Sequence, residues 1–148
     1  MTTVTFLSAL HASQYSERAH VISIGSEGSW YEIPDSAISF MRITFDDVVG
    51  DMDGLVPFHH RQADEIIEFI ESCGDDPIMV HCEAGMSRSA AVAQFISDRC
   101  GRTLDLSSPC IGTTSHLNRR VYETLKMVSG VETMSQYYSK LSRNSVVK

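Results

Sequence analysis

The chain has 148 residues, 43% of them hydrophobic and 21% charged, which is the balance of one folded globular domain. It carries 12 Lys and Arg residues against 19 Asp and Glu, and the net charge of -7 disfavours binding to nucleic acid or to an anionic membrane. The densest basic pair is Arg119-Arg120, and it stands alone. No apolar run approaches the ~18 residues of a membrane span. These features predict a single domain over residues 1–148 in a soluble, cytoplasmic protein, most simply a monomer.

Short apolar runs alternate with amphipathic segments, which is typical of an α/β fold. The predicted strands are, in chain order, Val4–Leu7, His20–Gly25, Phe40–Phe45 and Ile78–His81. The N-terminal run is interpreted as the first strand and helix of the domain, because no Lys or Arg precedes it as in a signal peptide.

Apolar residues at helical spacing predict three helices, over His59–Ser72, over Ser89–Cys100 and from near Asn118. Asn118 is the predicted N-cap, since its short side chain can accept a hydrogen bond from a free N–H. A last helix is predicted over 131–142, with the final ~6 residues frayed, and Thr103–Thr114 is interpreted as a polar connection. We therefore expect a three-layer α/β/α domain, built on a mostly parallel, twisted sheet of about four to five strands.

The most informative segment joins the fourth predicted strand to the second predicted helix. The strand leads into Cys82, Gly85 follows, and Arg88 lies directly before the helix. A loop between a strand and a helix N-terminus binds anions through its N–H groups. A thiol in such a place has a pKa of ~3.5–7.5, and an Arg offers a planar fork to two phosphate oxygens. The segment predicts a loop that binds phosphate beside an ionised cysteine, at the carboxyl end of a central strand.

This segment, HCEAGMSRS, resembles the signature HCxxGxxRS/T of the cysteine-based protein tyrosine phosphatases. The form HC-x-AG-x-SRS is similar to that of the compact dual-specificity branch. The similarity to small bacterial and phage members extends from about His20 to Leu125. The resemblance implies hydrolysis in two steps through a phosphocysteine, with no metal and no cofactor.

The resemblance also implies roles for the residues of the loop. By position, Cys82 is the nucleophile and Arg88 binds phosphate. Ser89 stabilises the thiolate and helps to break the phosphocysteine, and His81 orders the loop from behind as a hydrogen-bonding residue. The loop amides that bind phosphate belong to Glu83, Ala84, Gly85, Met86 and Ser87.

The general acid must come from a separate loop, where the family places an Asp just beyond the strand that precedes the long helix. Asp47 in FMRITFDDV matches that position best. Three further acids lie within reach of the same loop and stay open as alternatives: Asp46, Asp51 and Asp53. Asn118 matches the family's Asn at the start of the next helix.

The loop also bears on the substrate. Glu83 disfavours polyanionic ligands by like-charge repulsion, which favours phosphotyrosine in a protein or peptide, and a shallow pocket would also admit phosphoserine or phosphothreonine. Trp30 and Tyr31 are interpreted either as the rim of the pocket or as packing residues. Two other functions stay open: an inactive module that binds phosphotyrosine, and another thiol enzyme with a Cys–Arg anion loop, of the rhodanese or arsenate reductase type.

The remaining cysteines and histidines predict no metal site. Cysteines lie at positions 73, 82, 100 and 110 without a CxxC pair, so free thiols are expected. A disulfide from Cys73 or Cys100 to Cys82, protecting it from oxidation, is the alternative. His59-His60 lacks a third ligand at a suitable spacing, so this pair is interpreted as a solvated helix start.

Overall fold

The computed structural model describes residues 2–107 and 113–130. Its strands are β1 (Thr3–Ser8), β2 (Ala19–Gly25), β3 (Ala37–Thr44), β4 (Ile78–Cys82) and β5 (Thr103–Leu104). Its helices are α1 (Ala9–Ser13), α2 (His60–Ser72), α3 (Arg88–Cys100) and α4 (Arg119–Val128). Every strand and helix predicted on these residues is present, and β3 begins three residues earlier than predicted. The helix predicted over 131–142 lies outside the described residues.

The strands form one sheet in the order β3-β2-β4-β1-β5, and every pair is parallel. β4 lies in the middle, with β1 and β2 on its two sides. Because the strands are parallel, their carboxyl ends share one edge of the sheet, where open α/β sheets bind ligands. Cys82 ends β4 at that edge, paired in register with Ser8. The prediction of a parallel α/β sheet is confirmed.

Helices cover both faces of the sheet. All residues of β2 and β4 are buried, as expected for strands of a parallel sheet that are covered on both sides. The larger core packs α2, α3 and α4 on one face, around side chains that include Phe6, Ile22, Ile66, Phe95 and Leu125. A smaller cluster lies under α1 on the other face and contains Leu7, Ala12, Ala19, Val21 and Met79. The predicted three layers are present, and the layer on the second face is thin because α1 has only five residues.

The amino ends of the strands are held together by Arg102. Its side chain is 5% exposed and donates to the carbonyl oxygens of Gly74, Asp76 and Thr3 at 2.5, 2.6 and 3.3 Å. The strand β5 that follows Arg102 was predicted as part of a polar connection. It pairs with β1 over two residues only, which is too short for a sequence pattern to reveal.

Cys73 and Cys100 lie at this amino-end side of the sheet, remote from Cys82. Cys100 lines a cleft of about 210 Å³ together with Gly74 and Arg102. A helix rises ~1.5 Å per residue, which puts Cys100 about 16 Å along α3 from Ser89, a residue in contact with Cys82. Cys73 precedes β4, while Cys82 ends it about 13 Å further on. A disulfide needs Cα atoms within about 7 Å, so the alternative of a bond to Cys82 is wrong, and the three thiols are free.

Candidate active site

The loop from Glu83 to Ser87 turns sharply at Gly85, which has a φ of 72°. A Cβ on Gly85 would lie 2.4 Å from the backbone nitrogen of Ser8. The loop therefore needs glycine here both for its backbone angle and for its contact with the end of β1. The N–H of Ala9 donates to the carbonyl oxygen of Glu83 at 3.1 Å, which holds the loop against that strand.

The loop leaves most of its N–H groups free to bind a ligand. The N–H of Gly85 donates to the sulfur of Cys82 at 3.3 Å. Within the described residues, four other loop N–H groups donate to no protein acceptor, those of Glu83, Ala84, Met86 and Ser87. Unpaired donors beside a helix N-terminus attract an anion, so this loop is suited to bind phosphate.

The thiol of Cys82 lies beneath the loop and is almost fully buried. The hydroxyl oxygen of Ser89, in the first turn of α3, is 3.1 Å from the sulfur. The Ser89 hydroxyl and the Gly85 N–H can both donate a hydrogen bond to the sulfur. The structure thus brings together the two residues that the sequence assigned to the nucleophile and its stabiliser.

The guanidinium of Arg88 reaches back across the carboxyl ends of β2 and β3. Its Nη1 donates to the carbonyl oxygens of Phe45 and Gly25 at 2.7 and 3.3 Å and to the Ser26 hydroxyl at 3.2 Å. Within the described part of the chain, Nε and Nη2 donate to no protein group. One nitrogen thus fixes the side chain, and the others remain available to the oxygens of an anion.

The residues that hold Arg88 were not identified from the sequence. Gly25 gave the one usable signal, since a glycine closes an otherwise apolar strand. A Cβ on Gly25 would lie 2.3 Å from the carbonyl oxygen of Ser29, so the turn after β2 requires glycine. Ser26 and Phe45 gave no such signal, because their contacts with Arg88 depend on how the strands pair.

Asp47 is held by two hydrogen bonds, one from the phosphate loop and one from the N-cap of α4. Its Oδ1 accepts from the Ser87 hydroxyl and from Asn118 Nδ2, each at 2.8 Å. Asn118 also caps α4, as predicted, by accepting from the N–H of Val121 at 3.1 Å. Its own N–H donates to the carbonyl oxygen of Ser87 at 3.0 Å. Asn118 therefore links α4, the phosphate loop and the loop that carries Asp47.

The three alternative acids make other contacts, and of these Asp46 also lies near Ser26 and the charge of Arg88. Asp46 accepts from the N–H of Val56 at 2.7 Å, and this hydrogen bond lowers the pKa of the Asp46 carboxyl. Asp51 pairs with Arg120 at 3.4 Å. Asp53 is exposed. Among the described residues, Asp47 is the one of the four whose side chain bonds to the phosphate loop.

His81 lies behind Cys82 and is 0% exposed. Neither ring nitrogen meets hydrogen-bond geometry with a partner among the described residues, although the backbone of Cys82 is near enough to act on the pKa of the ring. That His81 orders the loop therefore stays a prediction. Burial lowers the pKa of His81 to about 4, which keeps the ring neutral near pH 7. The ring packs edge-on against Tyr31 at 5.9 Å between centroids.

The segment after β2 forms part of the rim. Burial raises the pKa of the Tyr31 phenol, and the nearby Glu83 carboxylate adds to the increase. Trp30 is 61% exposed. Tyr31 is therefore a packing residue that also borders the loop, and Trp30 is open to a ligand.

Over residues 2–107 and 113–130, no helix has the length and apolar character to cross a bilayer. In the same residues no three His, Cys, Asp or Glu side chains are grouped to hold a metal ion. His59 is the N-cap of α2, and both His59 and His60 are exposed, as expected of a solvated helix start.

None of the protein-family models and none of the curated proteins matches this sequence. Among solved structures, the chain is similar to a single-residue variant of human DUSP28, a dual-specificity phosphatase. The two chains are 15% identical and superpose with a TM-score of 0.48, over 97% of this chain and 89% of that chain. This likeness concerns the course of the backbone.

Proposed function

We propose that this protein is a phosphatase that hydrolyses phosphomonoesters without a metal ion. Its preferred substrate would be phosphotyrosine in a protein or peptide, with phosphoserine and phosphothreonine also admitted. The observation that supports this most is the placement of Cys82, Arg88 and Asp47 around one loop with unpaired N–H donors. A nucleophile, an anion clamp and a proton donor are what hydrolysis through a covalent intermediate requires.

In the first step, the sulfur of Cys82 attacks phosphorus and forms the S–P bond. The P–O bond to the leaving group breaks, and Asp47 gives its proton to the departing oxygen. The loop N–H groups and Arg88 bind the equatorial oxygens of the phosphoryl group, where the charge of the transition state is spread.

In the second step, Asp47, now a carboxylate, takes a proton from water as the water attacks phosphorus. The S–P bond breaks and inorganic phosphate forms. The Ser89 hydroxyl, 3.1 Å from the sulfur, stabilises the departing thiolate by a hydrogen bond. Asp47 leaves this step protonated, so the site returns to its starting state.

The substrate class is inferred from the charges around the loop. Glu83 is exposed on the loop and repels a second anionic group close to the pocket, which disfavours ligands that carry several phosphates in a cluster. The exposed side chain of Met86 on the loop suits the ring of a phosphotyrosine better than a highly charged head group.

The test is hydrolysis of p-nitrophenyl phosphate in EDTA by the wild type, Cys82→Ser and Cys100→Ser. We expect turnover that resists EDTA, its loss in Cys82→Ser, and little change in Cys100→Ser, whose thiol is exposed and remote from the site. The Cys82→Ser variant should still bind inorganic phosphate.

Turnover that survives in Cys82→Ser would contradict the proposal. Absence of turnover in the folded, reduced wild type would favour one of the two other functions. In that case, binding of a phosphotyrosine peptide identifies the inactive module, and activity with thiosulfate or arsenate identifies the other thiol enzymes.

A further inference from the structure

Arg42, on the edge strand β3, is held in place by two aromatic rings. Its guanidinium carbon lies 5.2 Å from the ring centroid of Phe40 and 5.6 Å from that of Trp30. Its Nη2 donates to the carbonyl oxygen of Tyr31 at 3.2 Å. Stacking on two rings together with a backbone hydrogen bond limits the rotamers of a long side chain, so this cation is oriented before any ligand binds.

The same group is open to solvent. Phe40 is 50% exposed and Trp30 is 61% exposed, and Arg42 itself is exposed. Within residues 2–107 and 113–130, Arg42 forms no salt bridge with an Asp or Glu. An oriented, exposed cation between two aromatic rings is therefore available to a partner, and Trp and Arg are the residues that most often dominate the affinity of binding surfaces.

This group lies close to the candidate active site. Arg42 is the register partner of Ser23, and Ser23 is the partner of His81, which precedes the nucleophile. Adjacent strands are ~4.8 Å apart, so the Cα of Arg42 is about 10 Å from that of His81. Tyr31 connects the two residues, because its carbonyl oxygen accepts a hydrogen bond from Arg42 and its ring packs against the ring of His81. An extended peptide covers that distance in roughly three residues.

We propose that Trp30, Phe40 and Arg42 form an accessory site that binds an acidic side chain of the phosphopeptide substrate, a few residues from its phosphotyrosine. The inference rests on the proposed function and adds a sequence preference to it. A carboxylate of Asp or Glu pairs with the guanidinium fork, and the aromatic rings cover the aliphatic stem of that residue. Glu83 repels a second anion beside the pocket, so the accessory site selects an acid at a distance.

The test uses phosphotyrosine peptides that differ at one position, two to five residues on either side of the phosphotyrosine, where each carries Glu, Gln or Lys. The measurement is the ratio of kcat/KM for the Glu peptide to that for the Gln peptide. We expect a ratio of about 3 to 10 in the wild type at the best position, as for a charge pair at a partly exposed site. The ratio should fall to about 1 in Arg42→Gln and should decrease at high salt.

The matched control is Arg99→Gln, which removes the same charge from an exposed residue near the end of α3, at the opposite side of the sheet. It should keep the wild-type ratio. A wild type without preference, a preference for Lys, or a preference that persists in Arg42→Gln would overturn the inference.

Failure of the proposed function would be recognised separately, as absence of turnover of p-nitrophenyl phosphate. The accessory site would then be tested by calorimetry with the same peptides and Cys82→Ser, alone and combined with Arg42→Gln. Tighter binding of the Glu peptide that is lost with Arg42 supports the site. Equal binding of the Glu and Gln peptides rejects it.

Discussion

At the level of single residues, the site depends on how Asp47 is distinguished from its neighbours. Asp46 and Asp47 are adjacent, yet the backbone N–H of Val56 lowers the pKa of Asp46, while Asp47 faces the phosphate loop through Ser87 and Asn118. An acid held as a carboxylate by a backbone hydrogen bond is a poor proton donor. The position of Asp47 against the phosphate loop therefore favours it as the general acid.

Replacing Asp47 by Asn should lower kcat for a phosphotyrosine peptide by about 10²–10⁴-fold, the usual contribution of general acid catalysis. The loss should be smaller for p-nitrophenyl phosphate, whose leaving group needs less protonation. Steady-state kinetics on both substrates check this, with Asp51→Asn as the control from the same loop. A large loss in Asp51→Asn with little change in Asp47→Asn would transfer the role to Asp51.

His81 couples the stability of the fold to pH. Its folded-state pKa of about 4 lies below the ordinary value of ~6.5, so the unfolded chain takes up the proton first as the pH falls. The free energy of unfolding should therefore decrease as the pH falls from about 6.5 to about 4, by up to ~1.4 kcal/mol per pH unit. Above about pH 6.5 the ring is neutral in both the folded and the unfolded chain, so His81 causes no further change of stability with pH.

The variant His81→Phe keeps a ring against Tyr31 and removes the titrating group. Urea unfolding at about pH 7, 6 and 5 should show a smaller loss of stability on acidification than in the wild type, since this linkage is gone. The control is His59→Asn, an exposed histidine, which should keep the wild-type slope. Equal slopes in the wild type and His81→Phe would show that the buried ring does not determine the pH dependence.

At the level of the elements, the phosphate loop is shaped by its contact with the end of β1. Gly85 and Gly101 have similar positive φ values of 72° and 68°, but only Gly85 faces backbone atoms closely, since a Cβ on Gly101 would meet nothing within 4 Å. A side chain at either position incurs the left-handed backbone cost of about 1–2 kcal/mol. At Gly85 the steric clash of the new Cβ with the backbone of Ser8 adds to this cost.

Gly101→Ala should therefore lower the free energy of unfolding by about 1–2 kcal/mol and leave phosphatase activity unchanged. Gly85→Ala should lower it further and abolish activity, because the loop must move away from β1. Denaturant unfolding and p-nitrophenyl phosphate turnover measure both effects. Full activity in Gly85→Ala would mean that the loop tolerates a side chain there and that its observed shape is not required.

The elements were largely predictable because their patterns are local. The apolar runs before Gly25 and Cys82 mark β2 and β4, and the spacing of Ala63, Ile66 and Ile70 marks the buried face of α2. The cysteine and arginine of the loop could be assigned because strand, loop and helix follow one another without interruption. In each case the relevant residues are neighbours in the chain.

Contacts between distant segments could not be predicted in the same way. The hydrogen bond from Arg88 to the carbonyl oxygen of Phe45 depends on which strand ends meet at one edge of the sheet. The same holds for which of the four aspartates reaches the phosphate loop. The strand β5 pairs with β1 across about 100 residues of sequence, and Arg102 before it binds carbonyl groups far away in the chain. Arg42, Ser23 and His81 become neighbours across the sheet only when β3, β2 and β4 pair in this register.

At the level of the whole molecule, the two ends of the sheet carry different groups. The carboxyl ends hold the phosphate loop, Asp47 and the group around Arg42, while the amino ends hold Arg102 and the thiols of Cys73 and Cys100. The buried Arg102 donates to three carbonyl groups, so its own donors have partners, as buried polar groups require. This arrangement leaves Cys82 as the one of the three described thiols that can meet a substrate bound at the loop.

The most direct test of the account is to trap the intermediate on Cys82. The wild type is mixed with p-nitrophenyl phosphate, quenched in acid within one turnover and analysed by peptide mass spectrometry, beside Ser89→Ala, in which breakdown of the intermediate should be slower. We expect one phosphoryl group on the peptide that contains Cys82, more of it in Ser89→Ala, and none in Cys82→Ser. A phosphoryl group on any other residue, or turnover without a phosphorylated enzyme in either protein, would contradict it.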